Sequence, residues 1–473
     1  MREQLAMEAR VIEEVDVLVC GGGPAGTAAA MAAARQGAKT MLIEQHGSLG
    51  GVATNALVGV WLGSYSRDGA YPVIGGIFSE IVERLVAAGG AIPAAADGFG
   101  SRHIGFADWH SRTIPFDFEI CKQVCDQVAI EAGVNLRYFT TFVAPQLSNG
   151  RIQGAFIHSK NGLEFIHART IVDATGDADV CHRAGCPTLK GRAEDGLMSP
   201  ASMIFVVEDV DYQEFEDYCQ GTGDVRLRKV VADIKQNGEW PFPFDIIIAC
   251  ETIKRGRYFV NTLRQTGVDG TRVEDLTRAM IEGRQQAAQL FNLMRRYVPG
   301  FSSGRLVQTA PVIGIRDTRR IIGDFQVTKD DLIQTRHYDD TVALSGYQWD
   351  MADPKRPSHQ RMEGAKTDLP YAEIPYRALL PQGSENLIVA GRCISTDWDA
   401  LGPLRIMPAC FAMGQAAGNA AAMATQSGIS IREVDTDMLR QRLMAQGAIL
   451  LPGSELPDKT SRSRRQQQAG TPV

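Results

Sequence analysis

The stretch VDVLVCGGGPAGTAAAMAAARQGAKTMLIE, from Val15 to Glu44, constrains the fold more than any other part of the chain. Val15, Val17 and Val19 make a β-branched run of the kind a buried strand requires. Gly21, Gly23 and Gly26 then stand as G-x-G-x-x-G. The first glycine permits a tight turn, the second lets the backbone approach a pyrophosphate, and the third lets a helix close on the strand. The alanine-rich helix that follows, with Pro24 and Ala25 at its start, points free N–H groups and a positive dipole end at the phosphates. Its C-cap falls at Gly37. TMLIE reads as a second strand ending in Glu44, 21 residues after Gly23. That is close to the ~20-residue spacing of an acid that accepts hydrogen bonds from ribose hydroxyls. An acid rather than a basic residue at this point disfavours the 2′-phosphate of NADP. Taken alone, the unit binds an ADP-containing ligand, either FAD or NAD.

Three downstream segments separate the two. The second strand continues through Gln45 into QHGSLGGVATN, where Gly50 and Gly51 let the chain approach an extended ligand. ARTIVDATGDADV is an apolar strand ending in Ala174, Thr175, Gly176 and Asp177. ENLIVAGRCIS is another, ending in Gly391 and Arg392 and followed by a glycine turn and a small-residue helix. A sheet begun at residue 15 and completed near residue 395 must be interrupted by an insertion, the layout of a large flavoprotein. GTGDVR at Gly221 lacks the third glycine and the apolar helix of a second dinucleotide fingerprint. The expected cofactor is FAD.

The motifs GGGPAGTAAAMAAARQGAKTMLIEQHGSLGGVAT, ATGDADVCHRAGCP, GIRDTRRIIGDFQVTKDDL and GRCISTDWDALGPLRIMPACFAMGQAAGNAAAMA extend from about Val15 to Ala424. They resemble the FAD-dependent oxidoreductase family of the glutathione-reductase-like flavoprotein superfamily, related more distantly to the flavoproteins of fumarate reductase and succinate dehydrogenase. The resemblance implies an α/β fold: a Rossmann-like FAD-binding domain of glutathione-reductase type with an inserted α+β substrate or cap domain. It divides the chain into a tail (1–14), a first FAD-binding part (15–199), the insert (200–346), a completing part (347–430), and a C-terminal helix with a disordered tail (431–473). It also implies two-electron chemistry on a small organic substrate, and adds Val143, Leu404 and Ile406 to the cofactor contacts. Family motifs often carry histidine where this chain has Trp398 and Ala352, so covalent attachment of the flavin at position 398 is excluded.

Several side chains are candidates for the chemistry. Arg405 in LGPLRIMP precedes the small-residue helix, the segment that in this superfamily passes the pyrimidine ring of the flavin; a cation there stabilises negative charge on a reduced flavin. GIRDTRR packs Arg316, Arg319 and Arg320 together, and Arg316 suits a bidentate grip on a carboxylate. Pairing with acids such as Asp317 and Asp324, or with the cofactor's phosphates, is the alternative use. Trp398 offers a flat face to an aromatic substrate, or fills space. The loop GFGSRHIGFADWHSRTIPFD has lid-like content, and His103 or His110 could serve as the acid or base. Cys181 and Cys186 have redox-disulfide spacing but follow the ATGD segment, which favours two packed thiols. Cys121 and Cys125 read as one core face of a helix.

A formal charge of −6, from 49 basic and 55 acidic residues, leaves no broad nucleic-acid footprint. No apolar run reaches membrane-spanning length. The nine cysteines show no metal-type pairing, so no metal is expected, and their odd number with an acidic opening segment fits the cytoplasm. The partner is a small-molecule substrate, and a homo-oligomer is compatible with the sequence. The reading is therefore hydride transfer between flavin N5 and a small carboxylated or aromatic compound. Its alternatives are an FAD monooxygenase using NAD(P)H and O2, and an electron-transfer subunit for an iron–sulfur partner.

Overall fold

The computed structural model describes residues 7–94, 112–148, 150–357, 360–361, 366–367 and 369–451. The opening unit forms as its pattern requires: β1 (Arg10–Cys20), α1 (Pro24–Arg35) and β2 (Thr40–Ile43). β1 starts five residues before Val15, and its second half, with Val17–Cys20 sealed on both faces, pairs in parallel with β2 from Val17↔Thr40 to Cys20↔Ile43. A helix α2 (Phe118–Glu131) is capped by Asp117, which accepts from the N–H groups of Glu119 and Ile120. It leads to β3 (Asn135–Arg137), which adds to the free edge of β2. β4 (Thr141–Ser148), β5 (Arg151–Ser159) and β6 (Gly162–Asp173) form an antiparallel meander, and β6 lies parallel to β1 along almost its full length.

The chain then leaves this sheet. β7 (Ala201–Glu208), β8 (Ala249–Glu251), β9 (Tyr258–Gln265), a helix α3 (Val273–Tyr297) and β10 (Arg305–Thr309) follow. The four strands make an antiparallel sheet in the order β8-β9-β7-β10. The run DLTRAMIEGRQQAAQLFNLMRRYVPGF predicts a long amphipathic helix ending at Pro299-Gly300, and α3 stops just before them, at Tyr297. Val298 is extended, the conformation forced on a residue before proline, and Pro299 cannot continue the ladder.

The first sheet is completed by β11 (Leu387–Val389), parallel to the end of β6 through Leu387↔Ile171 and Val389↔Asp173. A short helix α4 (Trp398–Leu404) and the long α5 (Met407–Ser427) follow. α5 lies against α1 almost backbone to backbone. A Cβ added at Gly414 would meet the Ala25 carbonyl at 2.0 Å, and one at Gly418 the Ala29 carbonyl at 2.1 Å. The alanines of α1 and the glycines of α5 are thus two halves of one contact, which fixes both helix N-termini at the same end of the sheet. Among the described residues, no helix is long and apolar enough to cross a membrane.

Candidate active site

A cleft of about 460 Å³ opens along the ends of β1, β2 and β6 and runs to the start of α5. At one end the wall is mostly backbone. Gly21 has φ +101°, and a Cβ there would sit 2.5 Å from the Ala174 carbonyl; one on Gly26 would sit 1.7 Å from the Gly21 carbonyl. Gly21, Gly23, Pro24 and Ala25 line the cleft, whereas Gly26 lies behind it and serves the helix–strand contact. Open space surrounds Gly23, and no side chain caps α1. The N–H groups of its first turn are therefore available to an anion.

Glu44 ends β2 nearly buried, with Gln45 beside it in the cleft wall. Its carboxylate accepts from the Gly22 N–H at 2.6 Å and the His46 N–H at 2.8 Å. The oxygens keep lone pairs for hydroxyl donors. Gly51 lines the cleft, while Gly50 turns behind it against Thr54. Thr140, Thr141 and Phe142 also face the ligand space, and Val143 does not: its carbonyl accepts from Arg183, and β4 shifts register between Phe142 and Ala144. The Val143 contact expected from sequence is thus displaced onto the residues just before it.

The end of β6 forms the floor through Ala174, Thr175 and Gly176. Beneath it, Asp173 is fully buried and accepts from Thr175 Oγ1 at 2.7 Å, the Thr175 N–H at 3.2 Å and the Cys181 N–H at 3.0 Å. Burial pushes its carboxyl above the ordinary range. Gly391 and Arg392 line the cleft as expected, but Arg392 spends its donors on the protein. It binds the carbonyls of Gly176 (2.8 Å) and Ile315 (2.6 Å) and the carboxylate of Asp177 (2.6 Å). It ties β6, the turn after β11 and the Ile315 segment together at the cleft edge.

At the far end the wall changes character. Asn55 lies at the surface of the cleft with its Nδ2 buried and without a partner among the described residues. Arg405 projects there between α4 and α5. Its Nη2 donates to the Asp350 carbonyl (2.7 Å) and carboxylate (3.2 Å), and its Nε is buried with no partner. Met407 and Cys410 of α5, whose N-terminus has no side-chain cap, continue this wall. Leu404 and Ile406 flank Arg405 but do not reach the cleft.

The other candidates separate. Arg316 does not line the cleft; its Nη1 donates to the Pro200 carbonyl and to Ser202 Oγ, both at 2.6 Å. Arg319 pairs with Asp179, and Arg320 with the carbonyls of Thr396 and Gly191, so those two are structural. Trp398 is buried, donates to Asp317 at 2.9 Å and lies outside the cleft wall, so it offers no face to a substrate there. Cys181, Cys186, Cys121 and Cys125 are all buried free thiols. His103 and His110 lie outside the described residues. Asn55, Asp350 and Arg264 escaped the sequence reading. Only Asn55 carried a signal, its place at the end of QHGSLGGVATN.

These residues fit a dinucleotide with a second ring system: glycine backbone and open N–H groups for a pyrophosphate, an acid for ribose, and unpaired buried donors at the opposite end. The fold and cleft define a dinucleotide-binding α/β protein with a split nucleotide sheet. The chain belongs to the FAD dependent oxidoreductase family, whose pattern it matches over residues 16–443. It is an enzyme, and FAD is its cofactor.

The chain is similar to a digeranylgeranylglycerophospholipid reductase from Methanoculleus marisnigri, 29% identical over 199 residues, which cover 41% of this chain and 47% of that protein. Digeranylgeranylglycerophospholipid reductase 2 of Methanopyrus kandleri is 27% identical over 181 residues, 37% of this chain and 42% of that one. The chain thus spans under half the length of these curated relatives. Among solved structures, a p-nitrophenol 4-monooxygenase from Pseudomonas putida gives a TM-score of 0.46 at 12% identity, covering 97% of this chain and 93% of that one.

Proposed function

We propose that this flavoenzyme moves a hydride between FAD and a small organic acid held at the Arg405 end of the cleft, in a fold of glutathione-reductase type. The observation that carries this reading is Arg405. One side chain both lines the cofactor cleft and keeps a buried, unpartnered Nε beside Asp350. When bound, FAD supplies the two-electron chemistry. The chain's own residues supply binding and charge. Gly21, Gly23 and the first turn of α1 hold the pyrophosphate, and Glu44 the ribose. Ala174, Thr175, Gly176 and Gly391 close the floor. Asn55 and Arg405 serve the ring acceptors, Arg405 with its charge fixed by Asp350. The sheet of β7–β10 covers the substrate, consistent with division of the chain at about residues 199 and 346.

The test is spectroscopic. The purified protein should be yellow and release flavin on denaturation. Mixed without oxygen with a panel of organic acids, alcohols and aromatics, it should bleach with an acid and not with neutral analogues. A protein that refuses added FAD, or that bleaches only with neutral compounds, would overturn the reading.

A further inference from the structure

Behind the cleft wall near Arg405, Arg264 and Arg316, neither of which lines the cleft itself, hold more positive charge than the protein neutralises. Arg264 sits on β9 directly across from Ser202 on β7, and Ser202 Oγ is the hydroxyl that Arg316 grips. Arg264 is only 8% exposed, donates through Nη1 to the Pro357 carbonyl, and has a buried Nε with no partner. Among the described residues neither Arg264 nor Arg316 has an acid within ion-pair distance, and Arg316 makes no hydrogen bond through Nε or Nη2. Asp350 is the carboxylate of this group, and it is engaged by Arg405. Asp245, a weaker influence on Arg264, is paired with Arg228.

The charges feel one another. Desolvation first, and then the neighbouring charge of Arg264, pull the Arg316 guanidinium down to about 9, with Arg405 adding to the effect and Asp350 opposing it. Arg264 is lowered for the same reasons: burial first, with Arg226 and Arg405 adding to it against Asp350. Buried charge without a counter-charge is costly. Arginine forks aligned without carboxylates are instead suited to an anion brought from outside.

We propose that Arg264 and Arg316, with Arg405, form the substrate-anion site, and that the substrate carries at least two negative charges on carboxylate or phosphate groups. The proposal rests on the function proposed above, whose substrate class it narrows. Arg264, Arg316 and Arg405 share the one carboxylate of Asp350, with Arg226 adding further positive charge, so a monoanion would leave the group positive. The Pro200 carbonyl and Ser202 Oγ hold Arg316 by one nitrogen, leaving the rest of its fork free. Arg264 is held in the same way by Pro357. Both cations are therefore oriented before any anion arrives.

The experiment uses the FAD-loaded protein at constant ionic strength. Malonate, succinate and inorganic phosphate are titrated against acetate and neutral succinamide. The flavin difference spectrum and the thermal midpoint are the two readouts, the second being independent of the flavin. The dianions should bind at least tenfold more tightly than acetate, and succinamide should give no response. Preference between phosphate and the dicarboxylates identifies the anionic group. R316Q and R264Q should each weaken dianion binding at least tenfold while flavin content is unchanged. R264K, which keeps the charge, should retain binding if R264Q fails to fold. Equal responses to acetate and the dianions, or unchanged dianion binding in the variants, would overturn the proposal. If flavin is retained in that case, the oxidoreductase reading stands; if the protein takes up no flavin, that reading fails first.

Discussion

The two ends of the cleft are built by different means. At the Glu44 end the ligand meets backbone: glycine at φ +101°, an uncapped helix start, and a carboxylate already oriented by two N–H donors. At the Arg405 end it meets side chains, Asn55 and the Arg405 that follows α4, each with a buried donor lacking a partner among the described residues, with Arg264 and Arg316 behind them. The first end offers fixed backbone donors and the second buried side-chain donors without partners among the described residues. A shared cofactor half can stay constant across many reactions, because it recognises only what all dinucleotides have. On the proposed reading, the over-charged half is where one substrate class is chosen.

The largest expected effect comes from the backbone end. Gly26→Val places a Cβ where the Gly21 carbonyl stands, 1.7 Å away, so α1 must lift off β1. Overpacking a well-filled site costs about 1–3 kcal/mol or more, and here the displaced backbone is also the pyrophosphate cradle. The variant should purify without flavin and with a lowered thermal midpoint. A yellow, wild-type-like protein would show that the backbone end does not depend on this close approach.

Glu44→Ala and Arg405→Ala should then separate the two halves. Loss of the Glu44 carboxylate removes the acceptor for ribose and strands the Gly22 and His46 N–H groups. Lost charged hydrogen bonds of this kind are worth about 1–3 kcal/mol, roughly ten- to a hundredfold in FAD affinity. The rate of flavin reduction in the loaded fraction should be nearly unchanged. Arg405→Ala should show the reverse, slower reduction with FAD affinity altered only a few-fold. Equilibrium dialysis and anaerobic stopped-flow measure the two quantities. A common pattern in both variants would erase the distinction between the ends.

This contrast also governs what was legible in the sequence. Val15 to Glu44 declares itself because strand, turn, helix and acid follow one another within thirty residues and meet at one end of the cleft. The closing strand at Leu387 was legible as an apolar run ending in glycine, although its partner β6 lies more than two hundred residues away. Glu44, Gly23 and Gly51 stand where the pattern puts them, and Val143 misses because a register irregularity in β4 leaves no local trace. Arg264 could not be found at all. It becomes a neighbour of Arg316 only through the antiparallel register Ser202↔Arg264, and Asp350 reaches Arg405 from an irregular loop. Trp398 looked like a substrate platform because sequence shows a ring but not that Asp317 takes its N–H and turns it inward.

The smallest expected effect, and the sharpest test of the over-charged end, is a pH dependence of anion binding. The Arg316 guanidinium is pulled down from its ordinary range to about 9, because burial first and Arg264 second disfavour its charged form. The groups that act on it are Arg264, Arg405, Asp350 and Tyr347. Tyr347 lies buried with its phenol pushed well up by desolvation, so it stays protonated through this window. Below about pH 9 Arg316 is charged and attracts the dianion; above it the free protein has lost that proton, and binding must restore it. Malonate affinity should therefore be level at neutral pH and fall through pH 9 by up to about tenfold per pH unit, the limit for one linked proton. The sign is fixed, since an anion can only raise the proton affinity of the cation it touches. R316Q should remove the descent near pH 9 and leave a weaker, flatter profile, with any residual slope coming from Arg264. A wild-type profile that is level to pH 10, or a descent that persists unchanged in R316Q, would mean that Arg316 does not face the anion, and the two ends of the cleft would then differ in residue type but not in charge.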